Sequence, residues 1–153
     1  MKTAFVVMWL LAGLFLYLPN AVADSPFVAD TPYEVTFGDY TVNYSVYPSR
    51  FLQAEMAKAL KIRQSPNLGV ITVAARQMQL DGEELPVRAA VRVRTRSMLG
   101  RVSSARLREV EDDGHVYYLG SFSITQNEST HFEIEVVPEG SEIGHKFTFS
   151  RRF

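Results

Sequence analysis

The sequence predicts an all-β fold, an immunoglobulin-like antiparallel β-sandwich with one short helix inserted between early strands. Three observations point that way: short stretches alternate apolar with polar residues, turn-forming residues separate them, and only one interval after the N-terminal segment has helical spacing. The chain has 153 residues, 46% hydrophobic and 22% charged, which is ample for one core without cross-links.

Residues 1–23 read as a signal peptide. Lys2 precedes an apolar run from Ala4 to Leu18, Pro19-Asn20 breaks it, and Ala21-Val22-Ala23 presents small residues before Asp24. The run falls short of the roughly 20 residues that a membrane-spanning helix needs, so the expectation is cleavage after Ala23 and no stable membrane span afterwards. An exported chain without cysteine suits a bacterial periplasm better than a eukaryotic secretory route, where small domains usually carry disulfides. Asn43-Tyr44-Ser45 and Asn127-Glu128-Ser129 match the glycosylation pattern, but matches to so short a pattern arise by chance.

Residues 24–32 are polar, contain proline and lack a periodic face, and are read as a flexible lead-in to a single sandwich domain over 33–153. Strands are expected over 33–37 and 40–46, with Gly38-Asp39 turning between them. Ser49 then stands where a helix cap would, ahead of Leu52, Met56, Ala59 and Leu60 at helical spacing and Lys58 and Lys61 near the C-terminal end. Pro66-Asn67 ends that connection. Strands follow over 68–78 and 85–95 around Asp81-Gly82, over 104–111 and 115–125 around Asp113-Gly114, and over 130–137 and 145–152 around Pro138-Glu139-Gly140-Ser141.

With the strands placed, Phe37-Gly38-Asp39-Tyr40-Thr41-Val42-Asn43-Tyr44 followed by Pro48-Ser49-Arg50-Phe51-Leu52 resembles the start of DUF4426, a family of small exported proteobacterial proteins. The similarity continues through Leu107-Arg108-Glu109-Val110, Val116-Tyr117-Tyr118-Leu119-Gly120 and Phe132-Glu133-Ile134-Glu135-Val136. Members often carry His where this chain has Asn43. The resemblance implies an exported β-rich domain and transfers no catalytic residue.

The formal charge is −1, which disfavours nucleic acid as a partner because duplex binding needs a basic excess. Without cysteine there is no disulfide, thiolate metal site, Cys nucleophile or lipidated cysteine. His131 shares a strand face with Glu133 and Glu135, but His115, His131 and His145 form no compact ligand motif, so no metal or other cofactor is expected. Glu133 and Glu135 stand about 7 Å apart along a strand, as glycosidase carboxylates can, and as alternating residues on any charged strand do. No serine sits in a Gly-x-Ser-x-Gly elbow and no glycine-rich phosphate loop occurs.

The sharper feature is Arg88, Arg92, Arg94 and Arg96, whose even spacing puts them on one face of a strand. Such a row can meet phosphate or carboxylate on a partner, or pair with Glu109, Glu111, Glu133 and Glu135 across the sheet. Tyr40, Tyr44 and Tyr47 make an aromatic group that serves either as core or as a binding platform. These residues lead to an expectation of a non-catalytic, soluble periplasmic binding or accessory module whose partner is an envelope protein or an anionic ligand. A small outer-membrane β-barrel ending in Phe153 and a periplasmic enzyme with a non-standard site are the alternatives.

Overall fold

The structure is a computed structural model that describes residues 33–153; the leader and lead-in lie outside the described residues. Among the described residues there are nine strands: β1 Tyr33–Phe37, β2 Tyr40–Pro48, β3 Leu68–Met78, β4 Glu84–Val87, β5 Ala89–Ser97, β6 Val102–Asp112, β7 His115–Ser123, β8 Ser129–Pro138 and β9 His145–Arg152. One helix, α1 Ala54–Ala59, follows a single 3-10 turn at Ser49–Phe51.

Alternation builds these strands. Phe132, Ile134 and Val136 of β8 are buried while the charged residues between them face outward, and Val42, Tyr44 and Val46 of β2 do the same. Leu68–Met78 has a different pattern because Val70 and Ile71 are both buried, one on each face. Val70 belongs to a second cluster on the outer side, with Leu52, Ala57 and Leu119, where α1 covers the sheet.

The pairing order is β1-β2-β3-β7-β6-β5-β8-β9, antiparallel throughout, with β4 beside the far end of β3. This corrects the expected immunoglobulin-like sandwich: the strands form one nearly closed, barrel-shaped sheet. The decisive strand is β6. Its first part, Val102 to Ala105, pairs with β5, and its second, Arg106 to Asp112, pairs with β7, so one strand joins what a sandwich keeps apart. The outer strands then meet through rings: Phe37 of β1 stacks on His145 of β9 at 4.7 Å, and Tyr44 of β2 lies 4.9 Å from Phe147 and 4.7 Å from Phe149. Alternation reports a buried face and is blind to whether that face closes on itself or on another sheet.

The expected strand 85–95 also divides. Up to Val87 it pairs with β3, and from Ala89 it pairs with β8, so Arg88 marks a change of neighbour. Ala89 N–H leaves the ladder there and donates to the Tyr118 hydroxyl at 2.8 Å, which in turn donates to Glu109 at 3.1 Å. Burial of that phenol, more than the nearby carboxylate, pushes its pKa up.

The helix differs in phase from the expectation. Ser49 is buried and does not cap it; its hydroxyl accepts from Ser65 N–H at 3.0 Å and lies 3.2 Å from Ser65 O, clamping the two ends of the helical connection together. Because the 3-10 turn intervenes, the cap position moves four residues, from Ser49 to Gln53, and α1 buries Ala57, while Met56 is 51% exposed.

Candidate anion-binding face

On β5, even-numbered residues point away from the core, since Val93 and Thr95 are buried. Register places Arg92 opposite Glu135, Arg94 opposite Glu133 and Arg96 opposite His131 on β8, and the next strand supplies Lys146, Thr148 and Ser150 in the same three rows. The outer face of β5, β8 and β9 is therefore a ladder with three rungs.

The first rung is closed by charge. Arg92 lies 3.3 Å from one Glu135 oxygen and Lys146 lies 3.5 Å from the other. Burial raises the pKa of this carboxylate, but Lys146 and Arg92 together outweigh it and hold the group below the usual glutamate value. In the second rung Arg94 reaches Glu133 at 3.5 Å. In the third, no carboxylate stands directly opposite Arg96: its β8 neighbour is His131, whose Nδ1 is 3.0 Å from the Ser150 hydroxyl, and its β6 neighbour is Val102. Arg94, Thr95, Arg96, Val102, His131 and Glu133 line an open cleft of about 170 Å³ at this point.

Arg88 is absent from the ladder. The change of neighbour at that residue turns it toward β6, where it pairs with Glu109 and, at 2.6 Å, with Glu111. Glu109 is the principal cause of the raised Arg88 pKa. Three of the four singled-out arginines thus have carboxylate partners, and Arg96 has none in the described residues.

The tyrosines do not form one platform. Tyr44 is 7% exposed and packs in the core against β9. Tyr47, on the opposite parity of burial contacts, packs beside the second cluster under α1, and burial followed by Tyr117 raises its pKa. Tyr40 is half-buried at the rim, 6.0 Å from His145. The three histidines stay apart in register, at Asp112, Ser150 and Val136 respectively, and no group of three or more His, Asp or Glu among the described residues is arranged to hold a metal. Sequence reasoning overlooked Lys146 and the open Arg96 position. The alternation Lys146, Thr148, Ser150 was a usable signal for the first, whereas the second depends on which strand lies beside β5.

Fold and face together define a small all-β domain: a curled antiparallel sheet with an apolar interior and a charged outer face. The chain belongs to the DUF4426 family, whose profile, described as a domain of unknown function, matches residues 34–153. A crystal structure of a DUF4426 family protein from Pseudomonas aeruginosa is 34% identical with a TM-score of 0.67, covering 80% of this chain and 94% of that one. A copper-bound variant of FetP from uropathogenic Escherichia coli has a TM-score of 0.55 over 80% of this chain and 94% of that one, but at 6% identity the likeness is one of fold alone. The comparison with curated proteins finds no match.

Proposed function

We propose that the protein is an exported, non-catalytic binding module of the cell envelope that receives an acidic group on the outer face of β5, β8 and β9. The observation that carries the reading is the third rung: Arg96 has no carboxylate opposite it in register and shares an open cleft with Arg94, His131 and Glu133, the last already paired with Arg94. A guanidinium offers planar, paired donors that suit carboxylate or phosphate oxygens. Export is supported by the leader pattern of residues 1–23, which precedes the residues matched by the family profile.

The spanning-barrel alternative fares worse on the same face. An outer-membrane barrel turns apolar residues outward to lipid, whereas here Phe132, Ile134 and Val136 point inward and Arg92, Arg94, Glu133 and Lys146 point outward.

Titration with a hexaglutamate peptide and with inorganic phosphate, followed by backbone amide shifts, tests the reading. Shifts should concentrate at residues 94–96 and 131–133 and should vanish in Arg96→Gln. Binding elsewhere, or binding unchanged in that variant, would remove the face from the account.

A further inference from the structure

Antiparallel pairing at every step makes strand direction alternate along the sheet order, so the connections gather at two opposite ends of the barrel. Residues 38–39, 79–83, 113–114 and 139–144 lie at one end; 98–101 and 124–128 lie at the other, where 49–67 also leaves and rejoins the sheet at the Ser49–Ser65 clamp after carrying α1 over the outer wall against Val70 and Leu119. The first set carries Asp39, Asp81, Glu83, Asp113, Glu139 and Glu142 and no Lys or Arg. The second carries Arg101 against Glu128, with Arg50 and Arg63 close in sequence to the Ser49–Ser65 clamp, while Glu55, Lys58 and Lys61 ride on the wall with α1 and the residues after it. One end of the barrel is therefore purely acidic in its connections, and the other carries a small basic excess.

Two hairpins with the same turn geometry show what this polarity does. At the acidic end Gly82 N–H bonds Gln79 O at 3.0 Å and Gln79 N–H bonds Glu83 O at 2.7 Å; the corner residues are Leu80 and Asp81. At the basic end Gly100 N–H bonds Ser97 O at 2.9 Å and Ser97 N–H bonds Arg101 O at 3.0 Å; the corners are Met98 and Leu99. Turn corners favour Gly, Pro, Asn, Asp and Ser, so two adjacent large apolar residues there run against turn chemistry. Met98 is 71% and Leu99 86% exposed. Beside this tip is a hollow of about 260 Å³ whose lining includes Ser97, Arg101, Ser103, Thr125 and Thr130, with Glu128 its one carboxylate.

We propose that the basic end of the barrel docks on an anionic phospholipid surface, with Met98 and Leu99 entering the headgroup layer and Arg50, Arg63 and Arg101 facing the phosphates. Charge complementarity selects this occupant: an apolar tip beside Arg101, at the end with a basic excess, is suited to an anionic interface, while Leu80, flanked by Asp81, Glu83 and Glu84, is repelled by one. The docking goes beyond the acidic-group site on β5, β8 and β9 and uses different residues.

The test is co-sedimentation of the protein, expressed as residues 1–153, with vesicles of phosphatidylglycerol and phosphatidylethanolamine or of phosphatidylcholine alone. Comparison among variants cancels any contribution from residues 1–32. Anionic vesicles should be bound and neutral ones at least about tenfold more weakly. Met98→Ser with Leu99→Ser should weaken anionic binding about tenfold or more, Arg101→Gln and Arg50→Gln about fivefold each, and Leu80→Ser not at all. Thermal melts of the tip variants should match the parent, because both side chains are exposed. Equal binding to both vesicle types, equal damage from Leu80→Ser, or release from vesicles by millimolar inorganic phosphate at constant ionic strength would overturn the proposal. So would failure to bind vesicles, and if hexaglutamate still shifted residues 94–96 in that case, the β5–β8–β9 reading would stand alone.

Discussion

Replacing Gly69 with Ala should destabilise the domain through a single contact. A Cβ at Gly69 would stand 2.3 Å from Cζ of Phe122 and within 2.9 Å of two further ring carbons, where carbon atoms normally rest about 3.5–4.0 Å apart. The ring must therefore retreat by more than about 1 Å, but it is held edge-on to Phe132 at 4.9 Å and to Phe153 at 5.6 Å. Overpacking of this kind costs about 1–3 kcal/mol. Ala is otherwise favoured over Gly in a strand by roughly 0.5–1 kcal/mol, so the net loss should be about 1–2 kcal/mol, or about 4–8 °C in Tm for a domain of this size. Urea denaturation of Gly69→Ala, Phe122→Leu and the double variant measures it. Removing the ring edge should relieve the clash, making the double variant more stable than the sum of the single losses predicts. Additive losses, or a Gly69→Ala variant as stable as its parent, would refute the claim that ring and backbone fill the same space.

Other residues give separate checks. Ser49→Ala should cost about 1–2 kcal/mol in urea denaturation, because the buried hydroxyl meets both the N–H and the carbonyl of Ser65. Tyr118→Phe should cost a similar amount, about 1–2 kcal/mol, by leaving Ala89 N–H without its acceptor where the chain changes strands. Glu135 has a folded pKa below its ordinary value, so its ion pairs support the fold above the usual glutamate range and lose that effect as pH falls through the folded pKa. Glu135→Gln should accordingly lower the melting temperature near neutrality, with the difference from the parent closing in acid; a gap that widens on acidification would give the wrong sign.

Local chemistry was legible in the sequence and partner choice was not. The bounds of β1, β3 and β9 coincide with the expected strands, and Asp113-Gly114 forms the expected tight turn with both residues at positive φ. These features depend on alternation within one segment or on residues adjacent in the chain. At Arg88 the alternation runs on unbroken while the neighbouring strand changes from β3 to β8, so nothing in the one-dimensional pattern marks the break. The same blindness hid the double pairing of β6 that curls the sheet. For the helix, Leu52 and Leu60 were placed correctly on the apolar side, but the 3-10 turn at Ser49–Phe51 shifted the phase and put Ala57 inward instead of Met56.

The candidate face was partly legible for the same reason. Even spacing placed Arg92, Arg94 and Arg96 together, and acidic residues on a neighbouring strand could be foreseen. Register alone decides that the last of the three meets His131, and topology alone decides that acidic turns collect at one end of the barrel. Tyr44 shows the converse: an aromatic residue on an alternating strand reads equally as platform or core until the strand across the gap, with Phe147 and Phe149, is known.

Site-specific photo-cross-linking in the intact cell envelope tests the central claim most directly. A photo-reactive residue at Thr148, exposed on the charged face of β9, should capture a partner, and Arg96→Gln should abolish the capture while the protein remains folded and at the same level. The same probe at Thr36, exposed on β1, should capture nothing that depends on Arg96. Equal capture from both positions, capture at Thr148 that survives Arg96→Gln, or no cross-link from the charged face would contradict an envelope module that binds an acidic group there.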